Sequence, residues 1–260
     1  MPAEFSSSYL FRGFPLRHVR YVRRLLRLEV GATREPWTHD KTPTIVHSIV
    51  APTATYSPWL SDKEFEAVYE KIKDYTLVDV YRCFELWSLA KQLAAVEGSV
   101  LEVGVWRGGT GVLLAEAIKN DSRRKVYLAD TFKGVVKAGE QDTRYKGGEH
   151  ADTSRSLVES LLRMFDASNA TILEGVFPED TSRLIDGPIA LLHSDVDVYS
   201  STKDIVQWVL PRLSKGGVIV FDDYGFSGCE GVTTFANELR ANSNLLFVHN
   251  LNGHAIFINK

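Results

Sequence analysis

The sequence has few cysteines, no strong excess of either charge and no long apolar run. Cys83 and Cys229 are the only cysteines among 260 residues. Neither has a second cysteine nearby, which excludes a cysteine-ligated zinc site and fits a reducing compartment. The net charge of −3 argues against a general nucleic-acid-binding protein, which carries a basic excess. No apolar run approaches the roughly 20 residues that cross a bilayer.

The remaining composition is that of an ordinary globular protein, with a hydrophobic fraction of 44% and a charged fraction of 24%. The first five residues, Met-Pro-Ala-Glu-Phe, lack the charged-then-apolar order of a secretory signal. We therefore expect a cytoplasmic protein with neither a nucleic acid nor a membrane as its partner.

The first third of the chain differs from the rest. From residue 15 to residue 30, apolar residues recur at helical spacing while arginines fill most of the other face, which predicts a basic amphipathic helix. Such a helix can bind an anionic membrane surface, but we favour a packed helix whose basic side faces solvent or another subunit of a homo-oligomer. Residues 31–60 predict an irregular connection in which His39, His47 and Tyr56 are candidate substrate contacts.

Two further helices are expected before the main domain is complete. One spans residues 61–73 and begins with the capping-box pair Ser61 and Glu64. The other spans residues 76–96, whose apolar residues recur at helical spacing. Domain boundaries are therefore expected near residue 75.

From Ser99 onward, strand and helix patterns alternate. This alternation predicts an α/β domain with a mostly parallel sheet covered on both faces. The last two strands, joined by residues 250–253, predict an antiparallel hairpin at the sheet edge. We expect a seven-stranded Rossmann-like domain over residues 76–260, preceded by an N-terminal helical extension over residues 1–75 that serves as a lid or contacts substrate or another subunit. The expected strands are 99–105, 125–130, 170–175, 189–195, 216–222, 245–249 and 254–258, and the expected helices are 110–119, 154–166, 201–213 and 230–241.

Three acidic residues follow two of the predicted strands. Asp195 closes the apolar stretch that begins at Pro188, and Asp222 and Asp223 close the stretch that begins at Gly216. The carboxyl ends of strands form the ligand crevice of an open α/β sheet, so these carboxylates meet and repel one another unless a cation lies between them. A hard ion such as Mg²⁺ prefers oxygen ligands. A single aspartate is more often a helix cap or turn residue, but three at two strand ends favour a metal site.

The first strand leads into a glycine-rich loop at residues 102–110. Gly104 permits a tight turn, and Gly108 and Gly109 let a ligand approach the backbone, although glycines also serve close strand–helix packing. Trp106 stands inside the loop, so a pyrophosphate would have to lie against its indole ring. This argues against a nicotinamide-dependent oxidoreductase, as do the strand-end carboxylates.

Asp130 closes the second strand, 28 residues after Glu102. An acidic residue at this place suits hydrogen bonding to ribose hydroxyls, whereas its alternative role is to cap a turn. An adenosine ligand without pyrophosphate satisfies both the loop and Asp130.

These motifs together resemble one known family. They are, in chain order, Glu102-Val-Gly104-x-x-x-Gly108-Gly109-Thr110, Asp130-x-Phe132-x-Gly134, Gly175-Val-Phe177-Pro178, Asp195-x-Asp197-x-Tyr199 and Asp222-Asp223-Tyr224. Over about residues 70–260 the chain resembles the class I S-adenosylmethionine-dependent O-methyltransferases of the macrocin, mycinamicin and novobiocin type, the TylF family. Around Asp195, Ser194 and Val196 replace the leucine and glycine that the family commonly has. The resemblance implies a class I methyltransferase fold and an Mg²⁺-dependent enzyme of antibiotic biosynthesis that methylates a sugar hydroxyl of a glycosylated natural product.

The resemblance also implies roles for individual residues. Mg²⁺ would be bound by Asp195, Asp222 and Asp223, and Asp197 would be the general base beside Asp195, which would also border the cofactor. Strand residues two apart share a face, so both carboxylates can point into one site if the strand continues that far. The implied cofactor contacts are Thr76, Glu102, Gly104, Gly108, Gly109 and Thr110 at the methionine part, Asp130 at the ribose, and Phe132, Gly175 and Val176 near the adenine.

Several alternatives remain open in the sequence. His150 and His193 are rival bases, although His193 lies in an apolar strand where a core role is commoner. Residues 137–153 lack periodicity and predict either a mobile loop over the site or a solvated surface loop. A phenol or catechol acceptor would use similar metal chemistry. A non-catalytic binding protein would predict the loss of Asp195 or Asp197, and both are present.

Overall fold

The computed structural model describes Ile45 and residues 54–260, and residues 57–260 form one compact unit. The helix predicted over residues 15–30, together with His39 and His47, lies outside the described residues. Residues 57–75, which the sequence analysis groups with the N-terminal extension, belong to this compact unit.

Six helices and seven strands build the compact unit. The helices are α1 (Lys63–Ile72), α2 (Val80–Lys91), α3 (Gly109–Ala117), α4 (Arg155–Met164), α5 (Tyr199–Val209) and α6 (Glu230–Leu239). The strands are β1 (Ser99–Val103), β2 (Val126–Asp130), β3 (Ala170–Glu174), β4 (Ile189–Ser194), β5 (Leu213–Phe221), β6 (Leu245–His249) and β7 (Ala255–Asn259). Short 3₁₀ turns occupy Pro58–Ser61, Lys73–Tyr75, Gln92–Ala95, Ser182–Leu184 and Leu210–Arg212.

The seven strands form one sheet in the order β3-β2-β1-β4-β5-β7-β6. Strands β1 to β5 run parallel to one another, whereas β7 is antiparallel to both β5 and β6. The prediction of a mostly parallel, seven-stranded sheet with an antiparallel edge hairpin is confirmed. The strand order reverses between β1 and β4, and in such sheets ligands bind outside the carboxyl ends of the strands at this point.

Helices cover both faces of the sheet. Helices α1 to α4 pack on one face and α5 and α6 on the other, which leaves the central strands buried on both sides. Strands of this kind are rich in valine, isoleucine and leucine, as β4 is. None of the helices within the described part of the chain has the length and apolar composition of a bilayer-spanning segment.

Helices α1, α2 and α5 begin at residues other than those predicted, because a residue that the sequence analysis did not identify caps each of them. The first helix is capped by Asp62, whose side chain accepts from the Phe65 N–H, and not by Ser61. Asp79 caps α2, so that helix begins at Val80 and not at residue 76. Helix α5 begins two residues earlier than predicted because the distant Asp142 carboxylate accepts the Tyr199 N–H at 2.9 Å. A cap contributed from another segment leaves no local pattern in the sequence.

Candidate active site

A cavity of about 350 Å³ lies at the carboxyl edge of the sheet. Residues at the ends of β1, β2, β4 and β5 line it, together with the segment that follows β2. The glycine-rich loop and the strand-end carboxylates therefore face the same space. The predicted site residues that line this cavity are Thr76, Gly104, Thr110, Asp130, Gly175, Asp195, Asp197, Asp222 and Asp223.

Gly104 joins the two sides of the cavity. Its φ of 87° is in the left-handed region, and a Cβ atom there would lie 1.6 Å from the carbonyl oxygen of Asp195. The Asp195 N–H in turn donates to the Val103 carbonyl at 2.9 Å. Only glycine allows this approach, so the loop after β1 and the acidic end of β4 are in direct backbone contact.

Asp130 organises the glycine-rich loop. One of its carboxylate oxygens accepts the N–H groups of Val105 and Trp106 at 2.7 and 2.9 Å, and the other accepts the Phe132 N–H at 2.7 Å. Each carboxylate oxygen has two lone pairs, so the side chain can still accept from a ligand. Asp130 thus holds the loop and keeps capacity for a hydroxyl in the cavity that it lines.

Two loop glycines serve close packing. A Cβ atom on Gly108 would lie 3.0 Å from the Val158 side chain, and one on Gly109 would lie 2.7 Å from the Tyr75 carbonyl oxygen. Neither glycine lines the cavity. The structure thus shows the packing role that the sequence left open, and the contact of these two glycines with the cofactor stays a prediction.

Phe132 and Val176, which the resemblance places near the adenine, also lie outside the cavity lining. Phe132 packs against the hydrophobic core on the α1–α4 face of the sheet. The Val176 N–H donates to the Asp180 carboxylate at 2.8 Å, within the turn after β3. Their neighbours Thr131, Gly175 and Phe177 line the cavity instead.

Glu102 and His193 form a buried pair between β1 and β4. Both are fully buried, and His193 Nδ1 lies 2.9 Å from Glu102 Oε1. Neither lines the cavity, so His193 is not placed to act as a base there. Glu102 Oε2 has no hydrogen-bond partner among the described residues. The contact of Glu102 with the cofactor stays a prediction.

The strand-end aspartates come together as a carboxylate cluster, defined here as Asp195, Asp197, Asp222 and Asp223. Ligand oxygens of Asp195, Asp222 and Asp223 lie within 4.8 Å of one another. Ligand atoms of Asp197, Asp223 and the thiol of Cys229 likewise lie within 4.8 Å of one another. Two pairs of acids that are far apart in the sequence thus gather at one corner of the cavity.

Backbone conformation, and not the alternation of side chains along a strand, sets the direction of two of these aspartate side chains. Strand β4 ends at Ser194, so Asp195 and Asp197 both follow the strand. Asp197 and Asp223 have φ values of 64° and 57°. Residues other than glycine rarely adopt this left-handed region, and such residues concentrate at functional sites.

The carboxylate cluster carries more negative charge than the fold compensates. Burial and then the charges of aspartate neighbours raise the pKa values of Asp195 and Asp223 well above the usual value. Burial also raises the pKa of Asp197, although the Tyr145 hydroxyl and His150 partly offset it. The ion pairs among the described residues include none of these three carboxylates. Oxygen donors with unbalanced charge are the ligands that a hard divalent cation prefers, so the cluster fits Mg²⁺.

Asp222 is the exception in the cluster. Burial alone would raise its pKa, but His193, His254 and Arg82 outweigh burial and hold the pKa well below its usual value. For His193, burial alone would lower the pKa, yet the carboxylates of Asp222 and Glu102 raise it to about 10. The charge of Asp222 is therefore balanced within the fold.

The segment after β2, which the sequence predicted as a loop over the site, forms one wall of the cavity through Arg144, Tyr145 and His150. The Tyr145 hydroxyl lies 3.4 Å from His150 Nε2, and burial followed by the charge of Asp197 raises the pKa of Tyr145. His150 thus remains a candidate base. Whether the segment moves stays a prediction.

Sequence reasoning missed Arg82, which lines the cavity from α2 and forms an ion pair with Asp222. One pattern pointed to it: Arg82 stands on the buried face of α2, four residues before Leu86. A buried arginine requires a carboxylate partner.

Comparison with known proteins gives a family match and several relatives. The model of the family described as Macrocin-O-methyltransferase (TylF) matches residues 69–257. The 8-demethyl-8-(2,3-dimethoxy-alpha-L-rhamnosyl)-tetracenomycin-C 4'-O-methyltransferase of Streptomyces olivaceus is 29% identical over 168 residues, covering 60% of this chain and 64% of that protein. The mycinamicin III 3''-O-methyltransferase of Micromonospora griseorubida is 31% identical over 150 residues, covering 52% of this chain and 58% of that protein. The demethyldecarbamoylnovobiocin O-methyltransferase of Streptomyces niveus is 30% identical over 140 residues, covering 50% and 53%.

The chain spans less than two thirds of the length of each of these three relatives. Among solved structures, the O-methyltransferase NovP has a TM-score of 0.63 at 25% identity, covering 72% of this chain and 82% of that chain. CalS11, a calicheamicin methyltransferase, has a TM-score of 0.59 at 18% identity, covering 79% and 94%, and shows likeness of fold alone.

Proposed function

The chain belongs to the macrocin-O-methyltransferase (TylF) family, and we propose that it transfers the methyl group of S-adenosylmethionine to a sugar hydroxyl of a glycosylated natural product, with Mg²⁺ in the carboxylate cluster. The observation that carries the proposal is that this cluster shares one cavity with the glycine-rich loop and Asp130. The relatives are named as O-methyltransferases of mycinamicin III, demethyldecarbamoylnovobiocin and a rhamnosyl-tetracenomycin, which supports a glycosylated acceptor in antibiotic biosynthesis.

The β1–β2 side of the cavity would hold the methyl donor. Thr76, Gly104 and Thr110 line the part next to the glycine-rich loop, where the methionine portion would lie. Asp130 would accept from the ribose hydroxyls, and Gly175 would border the adenine. S-adenosylmethionine supplies a methyl group that is already activated, so the protein needs no covalent intermediate.

The β4–β5 side would hold the acceptor. A sugar hydroxyl is a poor nucleophile because its pKa lies far above that of any side-chain base. Mg²⁺ held by Asp195, Asp222 and Asp223 would supply the positive charge that stabilises the developing alkoxide. Asp197, beside Asp223, would accept the hydroxyl proton at hydrogen-bond distance. The cavity walls would place the hydroxyl in line with the methyl group.

An incubation with S-adenosylmethionine and a panel of glycosylated acceptors tests the proposal. Product methylation is followed by mass spectrometry in Mg²⁺ and in EDTA, with catechols as a second acceptor class. We expect transfer to a glycosylated acceptor that stops in EDTA and returns when Mg²⁺ is restored. Transfer that survives complete metal removal would overturn the metal role, and transfer to catechols alone would reassign the acceptor.

Three broader predictions extend the proposal. We propose a cytoplasmic location and a homo-oligomer, the second of which is tested by light scattering coupled to size-exclusion chromatography. We also propose that the N-terminal extension predicted over residues 1–75 contacts the acceptor or another subunit. The part of that extension from Ser57 onward packs within the compact unit.

A further inference from the structure

Both oxygens of the Asp222 carboxylate are engaged. Oδ2 forms an ion pair with Arg82 Nη1, and Oδ1 accepts from His254 Nε2 at 2.8 Å. Asp222 is 3% exposed and His254 is fully buried, so water does not compete for these contacts. The carboxylate is therefore held in one orientation, with Arg82 and His254 on its two oxygens.

His254 is itself held from the other side of its ring. Its Nδ1 lies 2.6 Å from Glu85 Oε2 on helix α2. Glu85 also accepts from the side-chain amides of Asn250 and Asn252, the second at 3.3 Å. Three donors from the connection between β6 and β7 thus converge on one carboxylate, which fixes the ring plane of His254 relative to β5.

We propose that His254, oriented by Glu85, is a positioning residue that aims the Asp222 carboxylate at the metal ion. This inference rests on the proposed function because it takes Asp222 as a ligand of Mg²⁺. His193 Nε2 also faces Oδ1 but lies 3.7 Å away, beyond hydrogen-bond distance. Each Asp222 oxygen therefore uses one lone pair for its hydrogen-bonded partner and keeps one for an ion. Partners behind a metal ligand fix its direction, and their loss typically lowers metal affinity about 10- to 100-fold.

The geometry of histidine gives a matched pair of variants. Glutamine places its amide nitrogen near the position of Nε2, so His254→Gln keeps a donor for Asp222. Asparagine reaches only to the position of Nδ1, so His254→Asn keeps the Glu85 contact and loses the Asp222 contact. Both remove the ring, which makes packing losses comparable.

The affinity for Mn²⁺ alone, measured by electron paramagnetic resonance titration without donor or acceptor, reports the effect directly. We expect His254→Asn to weaken Mn²⁺ binding about 10- to 100-fold and His254→Gln to stay within about threefold of the wild type. Because both variants lack the ring and only His254→Gln keeps a donor for Asp222, a difference between the two affinities reports the orientation of Asp222.

A double-mutant cycle tests whether Glu85 acts through His254. Glu85→Ala should weaken Mn²⁺ binding in the wild type and add little in the His254→Asn background, because both changes disturb the same contact to Asp222. Glu64→Gln, which removes an exposed carboxylate of α1 that pairs with Lys91 of α2, is the matched control and should leave the affinity unchanged. If the losses in Mn²⁺ affinity of the two single variants add fully in the double variant, Glu85 does not act through His254 and the proposal is overturned.

The outcomes separate this inference from the proposed function. If the wild type binds no Mn²⁺, the metal role itself fails. If the wild type binds Mn²⁺ and Asp223→Asn does not, while His254→Asn binds as the wild type does, only the positioning inference fails. Equal losses in His254→Asn and His254→Gln would also overturn it, since glutamine keeps the donor. S-adenosylhomocysteine affinity, which depends on the β1–β2 side, should be unchanged in both variants.

Discussion

The two sides of the cavity balance their charges differently. On the β1–β2 side, Asp130 accepts three backbone N–H groups, so its carboxylate is compensated by the fold. On the β4–β5 side, burial raises the pKa values of Asp195, Asp197 and Asp223, and repulsion by neighbouring aspartates adds to it at Asp195 and Asp223. Among the described residues, no ion pair joins these three to a basic residue. The first side is complete without a ligand. The second keeps carboxylates that no basic side chain balances, and the proposed Mg²⁺ would supply the missing positive charge there.

The largest expected effect comes from the β4–β5 side. Asp197→Asn should lower kcat about 10²- to 10⁴-fold, the usual contribution of a general base. Donor affinity, measured by calorimetry with S-adenosylhomocysteine, should stay near that of the wild type because the β1–β2 side is untouched. A variant with near-normal kcat would remove Asp197 as the base and favour His150. Asp204→Asn, in an ion pair with Lys137, is the matched control.

On the β4–β5 side, Asp195 should lower the stability of the protein without metal and raise it with metal. In EDTA, Asp195→Asn removes a buried charge among like charges, so its free energy of unfolding should exceed that of the wild type by on the order of 1 kcal/mol. With Mg²⁺ at 100 times its Kd, the wild type should gain about 2.7 kcal/mol and the variant much less. Urea unfolding in the two buffers checks this reversal, which a purely structural role of Asp195 would not produce.

The pH dependence of that difference follows from the raised pKa of Asp195. Folding raises this pKa above its ordinary value of 3.8, so the folded state binds more protons than the unfolded chain and loses stability as pH rises above that value. In EDTA, the advantage of Asp195→Asn should therefore vanish below about pH 4 and grow as pH rises. An advantage that is constant across this range would assign it to packing instead.

The acids of both sides could be predicted from the sequence because residues at the ends of parallel strands meet at one edge of the sheet. The motif spacing gave Asp130 and Asp195 without any knowledge of side-chain contacts. The partners that orient Asp222 could not be predicted in the same way. Arg82 comes from a helix before the sheet and His254 from the edge hairpin, so their meeting depends on how distant elements pack.

On the compensated side, Asp130→Asn should give a smaller loss that does not depend on Mg²⁺. Backbone N–H groups point at both oxygens of the Asp130 carboxylate. An asparagine amide has only one oxygen, so at least one N–H group would face its NH₂ group and lose its acceptor. Hydrogen bonds to charged groups contribute about 1.5 to 3 kcal/mol, so we expect a loss near the lower value in the free energy of unfolding and weaker donor binding. Equal losses in EDTA and in Mg²⁺, measured by urea unfolding, would support the comparison. Asp186→Asn, which is exposed, is the control.

The smallest expected effect comes from Asp142, which serves neither side alone. This buried residue accepts the Tyr199 N–H at 2.9 Å and the Gly139 N–H at 2.8 Å, and so ties the cavity wall to the start of α5. Asp142→Ala removes a helix cap and should lower the free energy of unfolding by about 1 kcal/mol. Because Asp142 does not line the cavity, the loss should be the same with donor, with Mg²⁺ and with neither, whereas Glu140→Ala on the exposed part of the same segment should show none. A loss that disappears when Mg²⁺ is added would mean that the wall is coupled to the carboxylate cluster, and the two sides would then not be independent.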